Sequence, residues 1–488
     1  MSKVAVDQTM QLALQRHQAG QLAEAEKLYR QVLAEKPNHP DALHLLGVVA
    51  AQVGQTATAI RLMSAAITIS PATPHYHNDL GNALRHANKL EESAAAYRQA
   101  LRLKPDDAVA RNNLGNVLCD QGNLDEGIAE YRAAIKLRPA FGGAWANLGK
   151  ALRDIGMIDD SIATLRKALS LQPDYAEAHH NLSLVLLLKG DYESGWAEHE
   201  WRLQLKDSPW KRREPLRARW DGSDLNGRTI LILSEQGLGD TIQFARFLPM
   251  VAARGGRIIL QCQTALHRLL AGTSGVERII GMDDPMPGYD VHCPLLSLPY
   301  IFGTRLDSIP AAAAYLAADA GLSRDWAARL AAVNETKVGI VWAGAAGNSD
   351  DHLRSAPLSS LAPPAAIPGI RWFSLQKGQA AAQIAAAPAG MNLIDHTAEL
   401  NDFADTAALI ANLDLVIAVD TAVSHLAGAM GKPVWLMLRR WADWRWLLDR
   451  DDSPWYPTMR LFRQRSAGDW QEVFQRAAQA LNAIPPRT

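Results

Sequence analysis

Two glycines and an aspartate form the first group of residues whose types and spacing suggest chemistry. In "SEQGLGDTIQF" (234–244), Gly237 and Gly239 precede Asp240, directly after the apolar run "TILIL". Glycines let another group approach the backbone closely. Asp240 would stand at the carboxyl end of a strand and the start of a helix, where open α/β sheets bind ligands. The alternative is that Asp240 only caps the helix.

Two common nucleotide motifs do not explain this turn. The phosphate loop requires a lysine at the position that Asp240 occupies. The dinucleotide fingerprint requires a third glycine where this chain has Ile242. The turn therefore belongs to neither class.

A second group lies in "AVDTAVSHLAGAMGKPVW" (418–435), where a strand is predicted to end at Asp420 and Thr421 and a helix to begin at once. The start of a helix offers backbone N–H groups and a positive dipole end to a diphosphate, with the Thr421 and Ser424 hydroxyls in reach. His425 follows in the first turn, where it would either contact phosphate or simply pack.

Strand and helix patterns place both groups in an α/β half. Further apolar runs of strand length are "RIILQC", "KVGIVWAG", "IRWFSLQKG", "LDLVIAVDT" and "KPVWLML", and "TIQFARFLPMVAARGG" is amphipathic. Strands that alternate with helices at this spacing indicate parallel βαβ units. We expect two α/β lobes, at 228–325 and 336–488.

The first 207 residues carry a different signal, a 34-residue repeat. Glycines recur at that period (Gly47, Gly81, Gly115, Gly149), and so do prolines (Pro37, Pro71, Pro105, Pro139, Pro173). A second register of small residues marks the turn within each repeat (Gly20, Gly54, Asn88, Gly122, Gly156, Gly190). Such units cannot bury their apolar faces alone, so they stack into a solenoid with a concave groove. We expect an α-solenoid of six helix-turn-helix units over residues 6–207.

Three asparagines occupy one position of successive repeats, Asn113, Asn147 and Asn181. Equivalent positions form a row along one face of a solenoid, and carboxamides both donate and accept hydrogen bonds. Such a row suits an extended peptide backbone. The alternative is that these asparagines only cap or bridge neighbouring helices.

The repeat half resembles tetratricopeptide repeats, on the period and on lines such as "ARNNLGNVLCDQGNLDEGIAEYRAAIKLRP". Its layout is similar to that of the eukaryotic O-linked N-acetylglucosamine transferases, in which an asparagine ladder binds acceptor protein. This resemblance implies that an acceptor protein lies in the repeat groove.

The second half resembles the heptosyltransferase-like glycosyltransferases of the two-lobed GT-B fold. The resemblance rests on "SEQGLGDTIQFARF" together with "DLVIAVDTAVSHLAGAMGKPV" and covers about 228–480. It implies that Asp240 is the catalytic base and that Asp420, Thr421 and His425 belong to the site of a nucleotide-sugar donor. It also implies inversion at the anomeric carbon.

One departure from that family concerns the cation that neutralises the leaving diphosphate. Related enzymes place a lysine or arginine after the first strand of the second lobe, where this chain has "GNSDDHLRSAPL". Arg354 is our candidate, Lys377 is the second, and Asn348 and His352 are possible helpers. Ordinary surface charges are the alternative.

The junction and the tail are rich in aromatic and basic residues. Residues 208–227, with Lys211, Arg212 and Arg213, are expected to form a linker. The segment 439–464 concentrates aromatic residues, namely Trp441, Trp444, Trp446, Trp455 and Tyr456. These rings would either stack on a sugar or pack the tail back onto the first lobe.

Composition narrows the class of protein. With 50 basic and 51 acidic residues the net charge is -1, which gives no pull toward nucleic acid. The three cysteines show no zinc or disulfide spacing. No signal-peptide core or membrane-length apolar stretch occurs, so we expect a cytoplasmic protein without membrane insertion.

The sequence as a whole predicts a metal-independent glycosyltransferase that modifies a protein hydroxyl. No Asp-x-Asp signature is placed to hold a metal, and no cofactor is expected beyond the nucleotide-sugar substrate. Two alternatives stay open. One is a transferase acting on a surface glycan or lipid-linked sugar, and the other is a repeat scaffold with a degenerate transferase domain.

Overall fold

The computed structural model describes residues 3–208, 210, 217–310, 314–345, 347 and 351–483. Within it the chain divides into two compact units, Met1–Leu182 and Ser183–Thr488. The predicted limits of repeats, linker and lobes (6–207, 208–227, 228–325 and 336–488) remain predictions, and the linker residues Lys211, Arg212 and Arg213 lie outside the described residues. No helix in the described ranges is both long and apolar enough to cross a bilayer.

Twelve consecutive helices form the region where the repeats were predicted. They are α1 (Lys3–Gln18), α2 (Leu22–Glu35), α3 (Pro40–Gln52), α4 (Thr56–Ile69), α5 (Pro74–His86), α6 (Leu90–Leu103), α7 (Ala108–Asp120), α8 (Leu124–Leu137), α9 (Gly142–Asp154), α10 (Ile158–Leu171), α11 (Ala176–Lys189) and α12 (Tyr192–His199). Asn88 takes a positive φ of 57° at the turn between α5 and α6, where the other repeats have glycine. The predicted α-solenoid is confirmed.

The 34-residue glycine period has a packing cause. A Cβ on Gly81 would lie 2.8 Å from the Tyr97 ring, and one on Gly115 would lie 2.7 Å from the Tyr131 ring. Glycine therefore lets the two helices of a repeat approach closely enough to bury each tyrosine.

Two parallel sheets form the second unit. The first has the order β3-β2-β1-β4 and contains β1 (Thr229–Leu233), β2 (Arg257–Gln261), β3 (Val276–Ile280) and β4 (Val291–Pro294). The second has the order β10-β9-β8-β5-β6-β7 and contains β5 (Thr336–Val341), β6 (Ile370–Ser374), β7 (Leu393–Asp395), β8 (Leu415–Val419), β9 (Val434–Leu438) and β10 (Met459–Arg463). The two sheets with their helices are consistent with the predicted two-lobed α/β fold.

Ten α-helices accompany these strands in the described part of the chain. They are α13 (Leu238–Phe244), α14 (Leu248–Ala252), α15 (His267–Leu270), α16 (Leu298–Ile301), α17 (Ala320–Arg329), α18 (Asp351–Arg354), α19 (Ala362–Ala365), α20 (Phe403–Ala411), α21 (Ala422–Ala429) and α22 (Trp470–Asn482). The single amphipathic helix expected after β1 is instead divided into α13, a 3₁₀ turn at Ala245–Phe247, and α14. Pro249 explains why a new helix, α14, begins at this point. Proline has no N–H to donate and therefore fits only the first turn of a helix.

Candidate functional site

The glycine turn of the first lobe connects β1 to α13. Asp240 lies in the first turn of α13, and its Oδ2 accepts a hydrogen bond from the Gly237 backbone N–H at 2.8 Å. The carboxylate thus stabilises the helix start from the third helical position. The N-cap residue is Gly237, so Asp240 caps the helix from the third helical position and not as the N-cap itself. Its other carboxylate oxygen, Oδ1, makes a separate contact.

The second-lobe turn connects β8 to α21. Thr421 stands immediately before α21, and the Ser424 hydroxyl donates to the Thr421 carbonyl at 2.6 Å. The Thr421 hydroxyl oxygen is buried and has no hydrogen-bond partner among the described residues. A buried hydroxyl without a partner carries a desolvation cost that a bound polar ligand would remove.

The two turns meet. A Cβ on Gly239 would lie 2.8 Å from Cδ2 of His425 and 3.5 Å from Cα of Ala422. Glycine at 239 therefore allows α13 of the first lobe to pack directly against the start of α21. The structure brings Asp240 and the Asp420–His425 segment into one region, and their shared role in one site remains a prediction.

His425 is a packed residue with both ring nitrogens near polar partners. Its Nδ1 lies 2.8 Å from the Tyr456 hydroxyl, its Nε2 lies 3.7 Å from Oδ1 of Asp420, and its ring stacks obliquely on Trp446. The side chain is 7% exposed. This geometry favours the packing role that the sequence left open, with His425 orienting Asp420.

Asp420 stays ionised despite its burial. Burial alone would raise the pKa of its carboxyl, but the contact with His425, the Trp446 Nε1–H that it accepts at 2.8 Å, and the charge of Arg445 lower that pKa below its usual value. An anionic Asp420 beside the cavity would repel phosphate, so it suits hydroxyl groups of a ligand better.

A cavity of about 130 Å³ adjoins this region. Its lining residues are Arg354, Asp420, Met437, Leu438, Arg439, Ala442 and Asp443. Ligand pockets usually have about 300–1,000 Å³. A nucleotide-sugar would therefore require the cavity to widen.

The two candidate cations lie in different environments. Arg354, at the end of α18, lines the cavity, and its Nε contacts Oδ1 of Asp351 at 3.2 Å. Lys377 instead donates to the backbone carbonyls of Thr397, at 3.0 Å, and Leu400. Arg354 is thus the better placed to meet a diphosphate, whereas Lys377 stabilises a loop. Asn348 lies outside the described residues, and His352 is exposed in α18.

Sequence reasoning missed Arg445. This arginine is buried, and its guanidinium forms an ion pair with Asp240 as well as with Asp443 at 2.7 Å. It also donates to the side-chain carbonyl of Gln243. No local pattern identifies it, because its partners in α13 lie about 200 residues away.

Most of the aromatic side chains in the segment 439–464 are buried and do not expose their ring faces to solvent. Trp444, Trp446, Trp455 and Tyr456 are each at most 5% exposed. The Trp455 Nε1–H donates to the Tyr192 hydroxyl at 2.9 Å. Of the two roles that the sequence allowed, packing is the one observed for these four residues. Trp455 and Tyr456 contact the first lobe at Phe244 and Arg246, whereas Trp446 packs on His425 of the second lobe.

The asparagine row is present along the first helices of successive repeats. Asn113 Nδ2 donates to Oδ1 of Asn78 at 3.3 Å, and Asn147 Nδ2 donates to Oδ1 of Asn112 at 2.9 Å. Asn181 is half-buried in α11. Asn113 and Asn147 thus bridge neighbouring repeats, which was the structural alternative. Their carboxamides retain capacity for a further ligand, because each can make more bonds than these.

Comparisons with known proteins agree with this division. Residues 16–81 and 78–140 match models described as tetratricopeptide repeat, 149–190 match a TPR repeat model, and 370–435 match glycosyltransferase family 9 (heptosyltransferase). The last match includes Lys377 and the Asp420–His425 segment and ends before Arg445.

One curated relative is Protein FlbA of Caulobacter vibrioides, 29% identical over 327 residues, which are 61% of this chain and 54% of the relative. The chain thus matches about half the length of that relative. Similar solved structures include MamA (24% identity, 34% of this chain, 96% of that chain, TM-score 0.31) and a thermophilic TPR protein of Thermus thermophilus (21%, 37%, 99%, 0.33). The chain combines tetratricopeptide repeats with a segment of the glycosyltransferase family 9 (heptosyltransferase) type, and that segment carries the Asp420-Thr421 turn.

Proposed function

We propose that this protein is a glycosyltransferase that moves a sugar from a nucleotide-sugar to a hydroxyl of a protein held by the repeats. The observation that carries the proposal is the contact of the two turns at Gly239 and His425. It puts a carboxylate, Asp240, next to the start of α21, and Arg445 links Asp240 to Asp443 in the lining of the cavity. The family 9 match over the second turn supports the same interpretation.

In the proposed reaction Asp240 accepts the proton of the acceptor hydroxyl as the oxygen attacks the anomeric carbon. The bond from that carbon to the diphosphate oxygen breaks, and the nucleoside diphosphate leaves. Arg354 and the N–H groups at the start of α21 stabilise the charge that develops on it. Attack opposite the leaving group inverts the anomeric configuration.

Turnover on a panel of nucleotide-sugars tests this proposal. Purified protein is incubated with UDP-, GDP-, ADP- and CMP-sugars, and release of free nucleotide is measured with magnesium and with EDTA. We expect release from one nucleotide class, equal under both conditions. Dependence on the metal would contradict the metal-independent mechanism.

The Asp240→Asn variant tests the assigned base. The amide keeps the shape of the side chain but cannot accept a proton, so turnover should fall by about 10²–10⁴-fold. Nucleotide affinity should stay within about twofold, because Asp240 does not contact the leaving diphosphate in this mechanism. An active Asn variant would remove Asp240 from that role.

The scaffold alternative is favoured by the small cavity and by the ion pair that occupies Asp240. A degenerate site would bind no nucleotide and release none from any sugar conjugate. The same panel therefore separates the two functions.

A further inference from the structure

Arg445 joins the two lobes at the proposed base. Its guanidinium contacts Asp240 of α13 on one side and Asp443, at 2.7 Å, on the other. Its side chain is 10% exposed and stacks on the Trp444 ring at 4.5 Å. A planar guanidinium held in this way has few other orientations available.

Each carboxylate oxygen of Asp240 has its own hydrogen-bond donor. Oδ2 accepts from the Gly237 N–H at 2.8 Å, and Oδ1 accepts from Arg445. A carboxylate has about four lone-pair positions, so two contacts orient it and still leave lone pairs for a substrate proton. The Gly237 contact is local to the first lobe, whereas the Arg445 contact depends on the second.

Gln243 extends the same arrangement. It lies one turn after Asp240 on the same face of α13, and its Oε1 accepts from Arg445 Nε. An arginine can only donate, so the amide must present its oxygen to Arg445 and direct its nitrogen away. That Nε2 is buried and has no partner in the described part of the chain. Arg445 thus sets the orientation of two side chains of α13.

We propose that Arg445 is the positioning residue for Asp240, and that the base reaches its working orientation only while the two lobes are in contact. This inference rests on the proposed function. Arg445 need not touch the sugar or the acceptor, since it acts through Asp240. Loss of the contact should lower the rate of the chemical step and leave donor binding nearly unchanged.

Arg246 provides a matched control. It is 4% exposed, reaches from the first lobe to the Trp455 carbonyl at 2.7 Å, and lies over the Tyr456 ring at 4.8 Å. It therefore resembles Arg445 in burial, charge and bridging between the lobes. Among the described residues, its hydrogen bonds go to groups other than Asp240.

The experiment measures kcat and donor KM for nucleotide release on the full chain, with the UDP-, GDP-, ADP- or CMP-sugar that the wild type uses. Arg445→Met should reduce kcat about 100-fold with KM within about threefold, by analogy with catalytic groups misplaced by about 1 Å. Arg445→Lys keeps the positive charge but lacks the planar guanidinium with its several N–H donors. This variant should fold and should regain part of the rate that Arg445→Met loses. Arg246→Lys should keep kcat within about threefold of the wild type.

Circular dichroism and thermal melting check that each variant is folded. If Arg445→Met does not fold, the kcat values of Arg445→Lys and Arg246→Lys are compared to test the positioning role of Arg445. A folded Arg445→Lys with wild-type kcat would overturn the positioning role, and so would equal losses in the two lysine variants. A wild-type chain that turns over none of the donors contradicts the proposed function itself, and the positioning role with it.

Discussion

At the scale of single residues, the proposed site depends on the close approach at Gly239 and on the ion pair between Arg445 and Asp240. Only some of these residues could be recognised in the sequence. Gly239, Asp240 and Thr421 stand out because they follow apolar strand-length runs, which is a local signal. Arg445 does not stand out, since its role depends on residues about 200 positions earlier in the chain. Long-range partners of this kind are fixed by packing, and no periodicity reveals them.

We predict that Gly239→Ala will disturb the meeting of the two turns. The added Cβ would lie 2.8 Å from the His425 ring, so His425 or α21 must shift. Overpacking of this kind costs about 1–3 kcal/mol. The free energy of unfolding should fall by that amount and nucleotide release should fall with it.

Gly272→Ala is the control for this variant, because a Cβ there meets no atom of the described residues within 4 Å and its φ is not positive. It should melt and turn over like the wild type. Equal behaviour of Gly239→Ala and Gly272→Ala would show that the close approach at 239 has no consequence.

At the scale of elements, the sequence predicted the six interior strands of the two sheets. β8 and β9 are buried along their whole length and read as continuous apolar runs, as central parallel strands do. The four edge strands, β3, β4, β7 and β10, were not predicted. Of these, β3 and β10 include exposed charged residues. The turn of the first lobe was predicted correctly, yet the helix after it was not, because Pro249 divides that segment.

A buried ion-pair network links the segment after α12 to β1. Arg202 contacts Glu200 at 2.8 Å and Glu235 at 2.7 Å, and Arg219 also pairs with Glu200. Glu235 lies within the turn between β1 and α13, two residues before Gly237, and accepts from the Trp210 indole N–H at 2.9 Å. The glycine turn is thus tied to the segment that follows the repeats.

We predict that Glu200 contributes stability that disappears in acid. Burial alone would raise the pKa of Glu200, but Arg202 and Arg219 lower it below the usual 4.5. A lowered carboxyl pKa stabilises the fold above about pH 4.5, and the contribution is lost as the pH falls through the folded-state value. Glu200→Gln should therefore lower the free energy of unfolding at pH 7 by about 1–3 kcal/mol, and the melting temperature with it. Near pH 3 the substitution should lower the melting temperature less.

Thermal melting between pH 3 and pH 7 measures this difference. Glu277→Gln is the control, since Glu277 is 58% exposed and contacts Arg257 only at 3.9 Å. Surface pairs contribute about 0–1 kcal/mol, so this variant should follow the wild type at every pH. If the difference in melting temperature between Glu200→Gln and the wild type did not shrink in acid, the stabilising role of the ionised Glu200 would be contradicted.

At the scale of the whole molecule, the sequence predicted both halves because each has a repeating local signal. The glycine that meets Tyr97 lies in the same repeat as that tyrosine, so the period and the packing coincide. The two lobes follow from strands that alternate with helices. The packing of Trp455 and Tyr456 against the first lobe could not be predicted, since aromatic residues suit both packing and sugar binding.

We predict that the asparagine row serves acceptor binding apart from donor chemistry. Replacing Asn113, Asn147 and Asn181 by alanine should raise KM for a protein acceptor about tenfold or more and leave nucleotide release without acceptor unchanged. Tyr131→Phe is the control, because it removes a hydrogen bond to Asn116 of 2.8 Å inside one repeat. Equal acceptor kinetics in both variants would remove the row from acceptor binding.

The central claim is that the region around Asp420, Thr421 and Arg354 binds the nucleotide of a sugar donor. Isothermal titration calorimetry of the full chain with UDP, GDP, ADP and CMP tests it most directly, alongside Arg354→Ala. We expect one nucleotide to bind the wild type and to bind Arg354→Ala about 10–100-fold more weakly, since a charged hydrogen bond contributes about 1.5–3 kcal/mol. Absence of binding by all four nucleotides would contradict the claim and leave a repeat scaffold.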